Sequence, residues 1–316
     1  MKKVIWVLCL CLFLTGCSSV FFNGQDRGQT TERINYKLFT DDTERNKVLI
    51  KTDKNSIELT LKATPYISSP MPVLYTLFLH GKQIKAYWDG SEEPEYLFQT
   101  VIKPEQEKLI KIKIPDLQEG TNILNLSSVV FPYKYDIPEE EFLSYKWSMD
   151  AHSFTVIVNE EKHNSSLDFA YNERIISKVE TITGVAGELS YKKDDLYLKD
   201  EPYKLNVTKT LYYHWRNDYS EPVNVRLSLL VDWKQVPWDT NELFIDTLAY
   251  PGDVIIKEIN LPEIMRGNSQ STSAISVIAF INPGESFWYL DESENDIKAR
   301  YCKGQAFSTR RAIVKQ

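Results

Sequence analysis

The sequence predicts an all-β protein built from two tandem antiparallel β-sandwich domains, and three features support this prediction. Apolar and polar residues alternate in several short runs. Pro, Gly, Asn and Asp residues interrupt the runs about every ten residues, which is typical of β-sandwiches. A series of residue matches recurs at a nearly constant offset, which indicates that one domain occurs twice.

The alternation identifies individual strands. Every second residue is apolar in 57–61, 110–114 and 223–233. A period of two places these side chains on one face of a strand, so we expect half-buried antiparallel strands. Parallel strands would need crossover helices, and no long amphipathic helix pattern is found. Only Pro138–Leu143 is predicted to start a short helical turn.

The repeat is clearest where Phe98–Pro115 matches Ile245–Pro262 at an ungapped offset of 147, with one Thr and two Pro shared. The other matches, at offsets up to 153, are Pro72-Val73 with Pro222-Val223, Lys82–Ile84 with Lys234–Val236, Trp88-Asp89 with Trp238-Asp239, Pro132 with Pro283, and Ser153–Thr155 with Ala306–Ser308. Because the pairs keep their order along the chain, they predict an internal duplication.

The predicted repeats cover 33–160 and 174–316, joined by a polar linker at 161–173. Each has about seven short strands in roughly 130 residues, as β-sandwich domains do. The repeats resemble the disulfide-free immunoglobulin-like (Ig-like) domains of bacterial surface proteins. They have no Cys…Trp…Cys pattern, so antibody-type domains are excluded.

The N-terminus has the parts of an export signal in order. Lys2 and Lys3 precede the apolar run Val4–Leu14, which is too short to span a bilayer as a helix. The following Leu14-Thr15-Gly16-Cys17 resembles the lipobox of bacterial lipoproteins. The resemblance implies that residues 1–16 are a signal peptide that is removed and that Cys17 becomes the lipidated (palmitate-carrying) first residue. Residues 17–32 are polar and are interpreted as a tether.

The four cysteines fit this interpretation. Cys9 and Cys11 would leave with the signal peptide and Cys17 would take the lipid. Only Cys302 would remain, so the mature chain could form no internal disulfide. We expect an extracytoplasmic location on the outer face of the cell membrane, or at the outer membrane if the cell has two membranes.

Charge and motifs argue against several function classes. The net charge is −7, and loss of Lys2 and Lys3 takes it to −9, which disfavours nucleic-acid binding. No HExxH, GxSxG, Walker A or GxGxxG pattern is present. Cys302 has no matched histidine and is interpreted as an inert thiol.

No cofactor or metal is expected. The histidines His80, His152, His163 and His214 have no metal-ligand spacing, and His80 and His214 are interpreted as ordinary strand residues. Asp194-Asp195 and Glu139–Glu141 are interpreted as solvated charge. Asp291–Asp296 has oxygen ligands at alternate positions but lacks the Gly and the bidentate Glu of a calcium loop.

The repeated Trp-Asp pair is the candidate ligand-binding site. Trp88-Asp89 and Trp238-Asp239 both follow a strand end and precede a polar loop. An exposed indole face beside a carboxylate suits a sugar ring or a peptide. In the alternative interpretation, each indole covers the open end of its sandwich and each Asp caps a turn.

These observations predict a membrane-anchored envelope lipoprotein that is not an enzyme and has a binding or scaffolding role. Its partners would be membrane lipid through Cys17 and an envelope protein or wall glycan. The alternative is an enzyme acting on cell-wall polymers, with catalytic acids among scattered Asp and Glu residues, or a carbohydrate-binding protein. A two-lobed solute-binding protein would need helices that the sequence does not predict.

Overall fold

The computed structural model describes the chain from residue 33 onward, and the fold follows from the alternating strands. The described residues are 33–40, 48–133, 149–159, 176–177, 187–193, 203–204, 206–238, 241–266, 270–286, 288–291, 296–299, 303–309 and 311–315. They form strands with a single four-residue helix, α1 (Leu261–Ile264). The predicted all-β class with two tandem sandwiches is confirmed.

The first sandwich contains ten strands in two sheets. The smaller sheet has the order β1-β3-β8-β6, and the larger has the order β2-β10-β9-β4-β5, with β7 also paired to β4. The strands are β1 (Arg33–Phe39), β2 (Leu49–Thr52), β3 (Ile57–Tyr66), β4 (Met71–Leu79), β5 (Lys82–Ile84), β6 (Tyr87–Trp88), β7 (Leu97–Ile102), β8 (Lys108–Ile114), β9 (Gly120–Val130) and β10 (Met149–Val158).

The second sandwich also has two sheets, β11-β18-β14-β12 and β13-β23-β19-β15-β16, with β17 paired to β15 and β22 to β19. A separate hairpin joins β20 to β21. The strands are β11 (Ile176–Ser177), β12 (Glu188–Ser190), β13 (Tyr203–Lys204), β14 (Thr210–Arg216), β15 (Val223–Val231), β16 (Lys234–Val236), β17 (Ile245–Ala249), β18 (Val254–Asn260), β19 (Thr272–Ile281), β20 (Trp288–Asp291), β21 (Asp296–Ala299), β22 (Gln305–Ser308) and β23 (Ala312–Lys315).

The two sandwiches share their strand order. β1-β3-β8 corresponds to β12-β14-β18, and β2-β10-β9-β4-β5 corresponds to β13-β23-β19-β15-β16. They differ at one edge of the smaller sheet, where β6 pairs with β8 in the first and β11 pairs with β18 in the second. Where the first sandwich has the single strand β10, the second has β22 and β23 along β19, interrupted around Thr309. This common order is what the duplication predicts.

Equivalent turns confirm the matches at offset 147. Pro104 and Pro251 precede residues with positive φ, Glu105 (57°) and Gly252 (84°). In each turn the N–H of the fourth residue donates to the carbonyl of the first, Gln106 to Lys103 and Asp253 to Tyr250. Proline at the second position and positive φ at the third are typical of type II turns.

Two of the sequence matches are wrong in register. Through the paired strands, Pro72 corresponds to Asn224 instead of Pro222, because β4–β5 and β15–β16 align at an offset of 152. Phe154 corresponds to Ala312 instead of Phe307, because its neighbour on β9, Leu124, corresponds to Ile275. Short motifs fixed neither register, because a shared residue type does not require equivalent positions in the paired strands.

The predicted strands 57–61 and 110–114 lie within β3 and β8, with their apolar residues buried and the intervening ones exposed or half-buried. The run 223–233 is longer than its strand, because β15 ends at Val231 and Trp233 lies in the following turn. The expectation that this strand is half-buried is wrong: Arg226 and Ser228, between the core residues, are also buried.

Two apolar cores fill the sandwiches, and two smaller clusters lie between them. One of these combines Leu74 and Val129 with Trp233, Ala274 and Ile313. The other combines Phe78 of the first sandwich with Leu230, Ile278 and Phe280 of the second. Both clusters bury the outer faces of the larger sheets, and Arg33–Gln316 form one compact unit.

No helix in the described part of the chain is long and apolar enough to cross a membrane.

Candidate functional site

The first predicted site residue, Trp88, is a core residue. It lies on β6, pairs with Ile112 of β8, and only 2% of it is exposed. Its Nε1 donates to the Glu95 carbonyl at 3.1 Å. Its ring stacks on Phe98 with centroids 5.6 Å apart. A buried indole with its donor satisfied fills the sandwich and has no face free for a ligand.

Trp238 has the same role in the second sandwich. It is 3% exposed, and its Nε1 donates to the Leu227 carbonyl at 3.2 Å. The Lys257 Nζ lies 5.8 Å from the ring centroid. As with Trp88, its carbonyl accepts a hydrogen bond from the N–H three residues on, here Asn241. Both tryptophans therefore start equivalent turns.

Ligand binding by these pairs would require both indoles to be exposed, but both are buried. Each indole is more stable with its apolar surface buried and its N–H bonded inside the sandwich. The geometry agrees with the alternative interpretation, in which the indoles close the sandwiches. Asp89 is exposed at φ 49°, with Lys108 Nζ 3.6 Å from its carboxylate. Asp239 lies outside the described residues. Ligand binding by Trp88, Asp89, Trp238 and Asp239 stays a prediction.

Several other predicted features lie wholly or partly outside the described residues. These are the signal peptide 1–16, Cys17 and the tether to residue 32, the helical turn 138–143, the linker 161–173, the acidic pair 194–195, the segment 292–295 of the acidic run, and Cys302. Within the described ranges, no group of three or more His, Cys, Asp or Glu side chains is placed to hold a metal ion.

Of the two histidines expected in strands, His214 lies in a strand and His80 does not. His214 lies on β14 and is buried, with its Nε2 3.2 Å from the Lys192 carbonyl. His80 instead occupies the turn between β4 and β5, at φ 50°. Its Nδ1 lies 3.0 Å from the Pro283 carbonyl of the other sandwich. Burial, and to a smaller extent the charge of Arg226, lower the pKa of His80, while the Pro283 bond opposes the shift.

The feature that sequence reasoning missed is the junction between the sandwiches. Gln83 and Gln235, which are equivalent residues of the repeats, each accept a 2.8 Å hydrogen bond on the side-chain oxygen from the other's backbone N–H. The Gln83 amide also donates to the Trp233 carbonyl. The Lys-Gln-Ile/Val match was a signal for these residues, but it did not indicate that they meet.

The hairpin turns extend the junction on both sides of this pair. The Trp233 Nε1 donates to the Pro132 carbonyl at 2.9 Å, while His80 approaches the carbonyl of Pro283, the repeat equivalent of Pro132. The Arg311 Nη1 donates to the Phe131 carbonyl at 2.7 Å. Each sandwich thus places a turn against the same proline segment of the other.

A buried ion pair completes the junction. The Arg226 Nε and Nη2 each donate to one carboxylate oxygen of Asp246 at 2.8 Å, and both side chains are 8% exposed. The Arg226 Nη1 donates across the junction to the His80 carbonyl at 3.0 Å. This bidentate geometry compensates the cost of burying both charges.

The solved structures to which this chain is similar match it at low sequence identity and low TM-score. The CARDB domain of the Pyrococcus furiosus protein PF1109 is 10% identical, with a TM-score of 0.27, over 42% of this chain and 95% of that one. The Pseudomonas aeruginosa CupB2 chaperone is 12% identical, with a TM-score of 0.22, over 80% of this chain and 95% of the chaperone. A PapD-like domain of human CEP192 is 10% identical, with a TM-score of 0.23, over 46% and 98%. No protein-family model and no curated protein matches the chain.

Proposed function

We propose that this chain is a lipid-anchored envelope protein with a non-catalytic binding or scaffolding role. The observation that carries the proposal is the junction, where equivalent residues Gln83 and Gln235 bond each other. Two sandwiches joined through hydrogen bonds, an ion pair and apolar clusters suit a platform or spacer. Independently moving binding domains would share a smaller, more polar contact.

The lipobox supports the location. In the order Leu14-Thr15-Gly16-Cys17, the cysteine follows small residues and an apolar run that ends where a signal peptide would be cleaved. The rival functions have less support. The buried indoles of Trp88 and Trp238 remove the aromatic surface that a carbohydrate-binding role would have used. An enzyme acting on wall polymers would need two convergent carboxyl groups.

The anchor is tested by Cys17→Ala, with Cys302→Ala as the matched control that removes the other cysteine expected in the mature chain. We expect Cys17→Ala to lose labelling by a palmitate analogue and to remain unprocessed or to be released from the cell. Cys302→Ala should remain labelled and in the membrane fraction. Processing and labelling of Cys17→Ala would contradict the lipoprotein assignment.

The scaffolding role is tested by crosslinking in native membranes, followed by purification of the anchored protein. A defined envelope protein recovered in fixed proportion supports the role, and a Gln83→Ala/Gln235→Ala variant should recover less of it. If the protein instead releases soluble fragments from purified wall polymer, the alternative function as an enzyme is supported.

A further inference from the structure

The outward face of the smaller sheet of the first sandwich is basic, although the chain is acidic. On β1, β3 and β8 the residues that point away from the core include five cations and Glu58, and Glu107 precedes β8. The whole chain has a net charge of −7. We call this surface the basic face, and its cations are Arg33, Lys37, Lys62, Lys111 and Lys113.

The arrangement of these cations opposes stability. Lys37 lies directly across from Lys62, and like charges in that position repel. Glu107 binds Lys62 at 2.8 Å, and Glu58 lies 3.4 Å from Lys113. The hydrogen bond from Lys62 is the largest cause that lowers the pKa of Glu107, and the charge of Lys37 adds to it. Two carboxylates do not balance five cations, so an external anion would relieve the repulsion.

The basic face also exposes apolar side chains. Tyr66 is 52% exposed and Leu109 is 53% exposed, and both point outward with the cations. The Arg33 guanidinium lies 5.0 Å from the centre of the Tyr66 ring. Cations mixed with exposed aromatic and aliphatic groups are typical of surfaces that lie in a membrane interface, whereas a soluble polyanion needs only the charges.

The second sandwich shows that the fold does not require this chemistry. Its equivalent positions, defined by the paired strands, are acidic, neutral or buried. His214 and Ile256, which replace Lys62 and Leu109, are both buried. The remaining equivalents are Glu188 for Lys37, Glu258 for Lys111 and Asn260 for Lys113.

The chain connects the basic face directly to the proposed anchor. Arg33 is the first residue of β1, and Cys17 precedes it by sixteen residues. A fully extended segment of that length spans at most about 55 Å. The edge strand of the basic face is therefore the first described element after Cys17.

We propose that the basic face docks on the anionic headgroup surface of the membrane that holds the lipid on Cys17. The proposal rests on the proposed lipid anchor. Lys and Arg side chains near an anionic bilayer each contribute attraction that is screened within a Debye length. Tyr66 and Leu109, which lie among these cations, enter the membrane interface. Docking would fix the orientation of the two sandwiches relative to the membrane.

The test uses the mature lipidated protein with Cys302→Ser, reconstituted into vesicles and spin-labelled at Leu109→Cys. Val207→Cys, at a site 73% exposed on the second sandwich, is the control label. Collision with a water-soluble nickel chelate is compared between vesicles of phosphatidylcholine with about 30 mol % phosphatidylglycerol and vesicles of phosphatidylcholine alone. We expect the anionic vesicles to protect the Leu109 label and to leave the Val207 label unchanged.

A charge variant makes the test specific. Lys37→Gln/Lys111→Gln/Lys113→Gln should lower the ratio of docked to free protein by about a hundredfold, at ~1 kcal/mol per cation. The matched control Lys54→Gln/Lys103→Gln/Lys234→Gln removes the same charge from other exposed positions and should remain docked. Protection should also disappear in 1 M salt.

Equal nickel access to the Leu109 label in both vesicles would overturn the proposal. Protection by soluble polyphosphate without vesicles would assign the face to a soluble polyanion instead, and protection that depends on protein concentration alone would assign it to a second copy. A chain with no lipid on Cys17 would overturn the proposed function. In that case the same labels still test the face when vesicles are added to the protein in solution.

Discussion

The two sandwiches have the same strand order but different surfaces. In both, alternate residues of the central strands fill the core, and a buried tryptophan starts a turn at the edge. Outside the core the equivalence ends: Lys37 and Lys111 of the first correspond to Glu188 and Glu258 of the second. The comparison teaches that duplication preserved the packing, while each copy acquired its own surface chemistry.

The largest expected effect tests whether the tryptophans are equivalent. Trp88→Ala and Trp238→Ala should each lower the free energy of unfolding by about 3–5 kcal/mol, because both remove a buried indole. Urea denaturation measures this loss, and Val207→Ala at an exposed site should change stability by no more than about 0.5 kcal/mol. A small loss of stability for one of the two variants and a large loss for the other would show that the tryptophans are not equivalent.

The buried ion pair of the second sandwich has uncharged residues at the equivalent positions of the first. Arg226 and Asp246 correspond to Leu74 and Gln99 of the first. Arg226→Leu should cost about 3–5 kcal/mol, because Asp246 would remain buried without its partner. The double variant Arg226→Leu/Asp246→Gln introduces the residues of the first sandwich and should be more stable than Arg226→Leu. If urea denaturation shows the two variants equally unstable, the loss comes from the hydrogen bond to His80.

Two glycines separate backbone strain from crowding at the junction. Gly81 and Gly90 have nearly the same φ, 84° and 83°. A Cβ on Gly81 would lie 2.9 Å from the Arg226 Cδ, whereas one on Gly90 would have no neighbour within 4 Å. Gly90→Ala should cost about 1–2 kcal/mol from strain, and Gly81→Ala about 1–3 kcal/mol more from overpacking. Equal losses of stability for the two variants on thermal unfolding would mean that the side chains around Gly81 rearrange without an energetic cost.

The smallest expected effect concerns the stability of the protein at acidic pH. The pKa of His80 is lower in the folded state than in the unfolded state, so the unfolded state binds more protons. The free energy of unfolding therefore decreases as the pH falls below about 6.5 toward the pKa of the folded state. His80→Asn should make this decrease shallower, since asparagine tolerates positive φ and does not titrate. Unfolding measured between pH 7 and 5 tests this, with the exposed His152→Asn as control. An unchanged slope in His80→Asn would contradict it.

The core was predictable from the sequence because alternation directly reports burial. The period of two placed Leu59, Leu61 and Ile112 inside. The recurrence of Thr100 and Pro104 as Thr247 and Pro251 fixed the repeat offset. The strand β15 was predicted as half-buried because Arg226 and Ser228 are polar. Their burial depends on residues of the other sandwich, far away in sequence, which a local pattern cannot report.

The candidate site shows the same limit. A Trp-Asp pair repeated in the sequence fits both a ligand surface and a core plug, because two copies of a fold also share their packing. Whether an indole can be buried depends on whether a hydrogen-bond acceptor lies near its Nε1. The acceptors are the Glu95 and Leu227 carbonyls, and folding, not the local sequence, places them there. The alternation of Lys111 and Lys113 with isoleucines did indicate an outward basic strand. It could not show that Lys37 lies across the sheet from Lys62.

The exchange of hydrogen bonds between Gln83 and Gln235 has the form of an isologous contact, in which the same residue of each copy binds the other. In a homodimer such a contact forms only above a certain protein concentration. Here both copies belong to one polypeptide, so association becomes intramolecular and its strength no longer depends on how much protein the cell makes. Dilution across a membrane surface would therefore leave the pairing of the sandwiches unchanged.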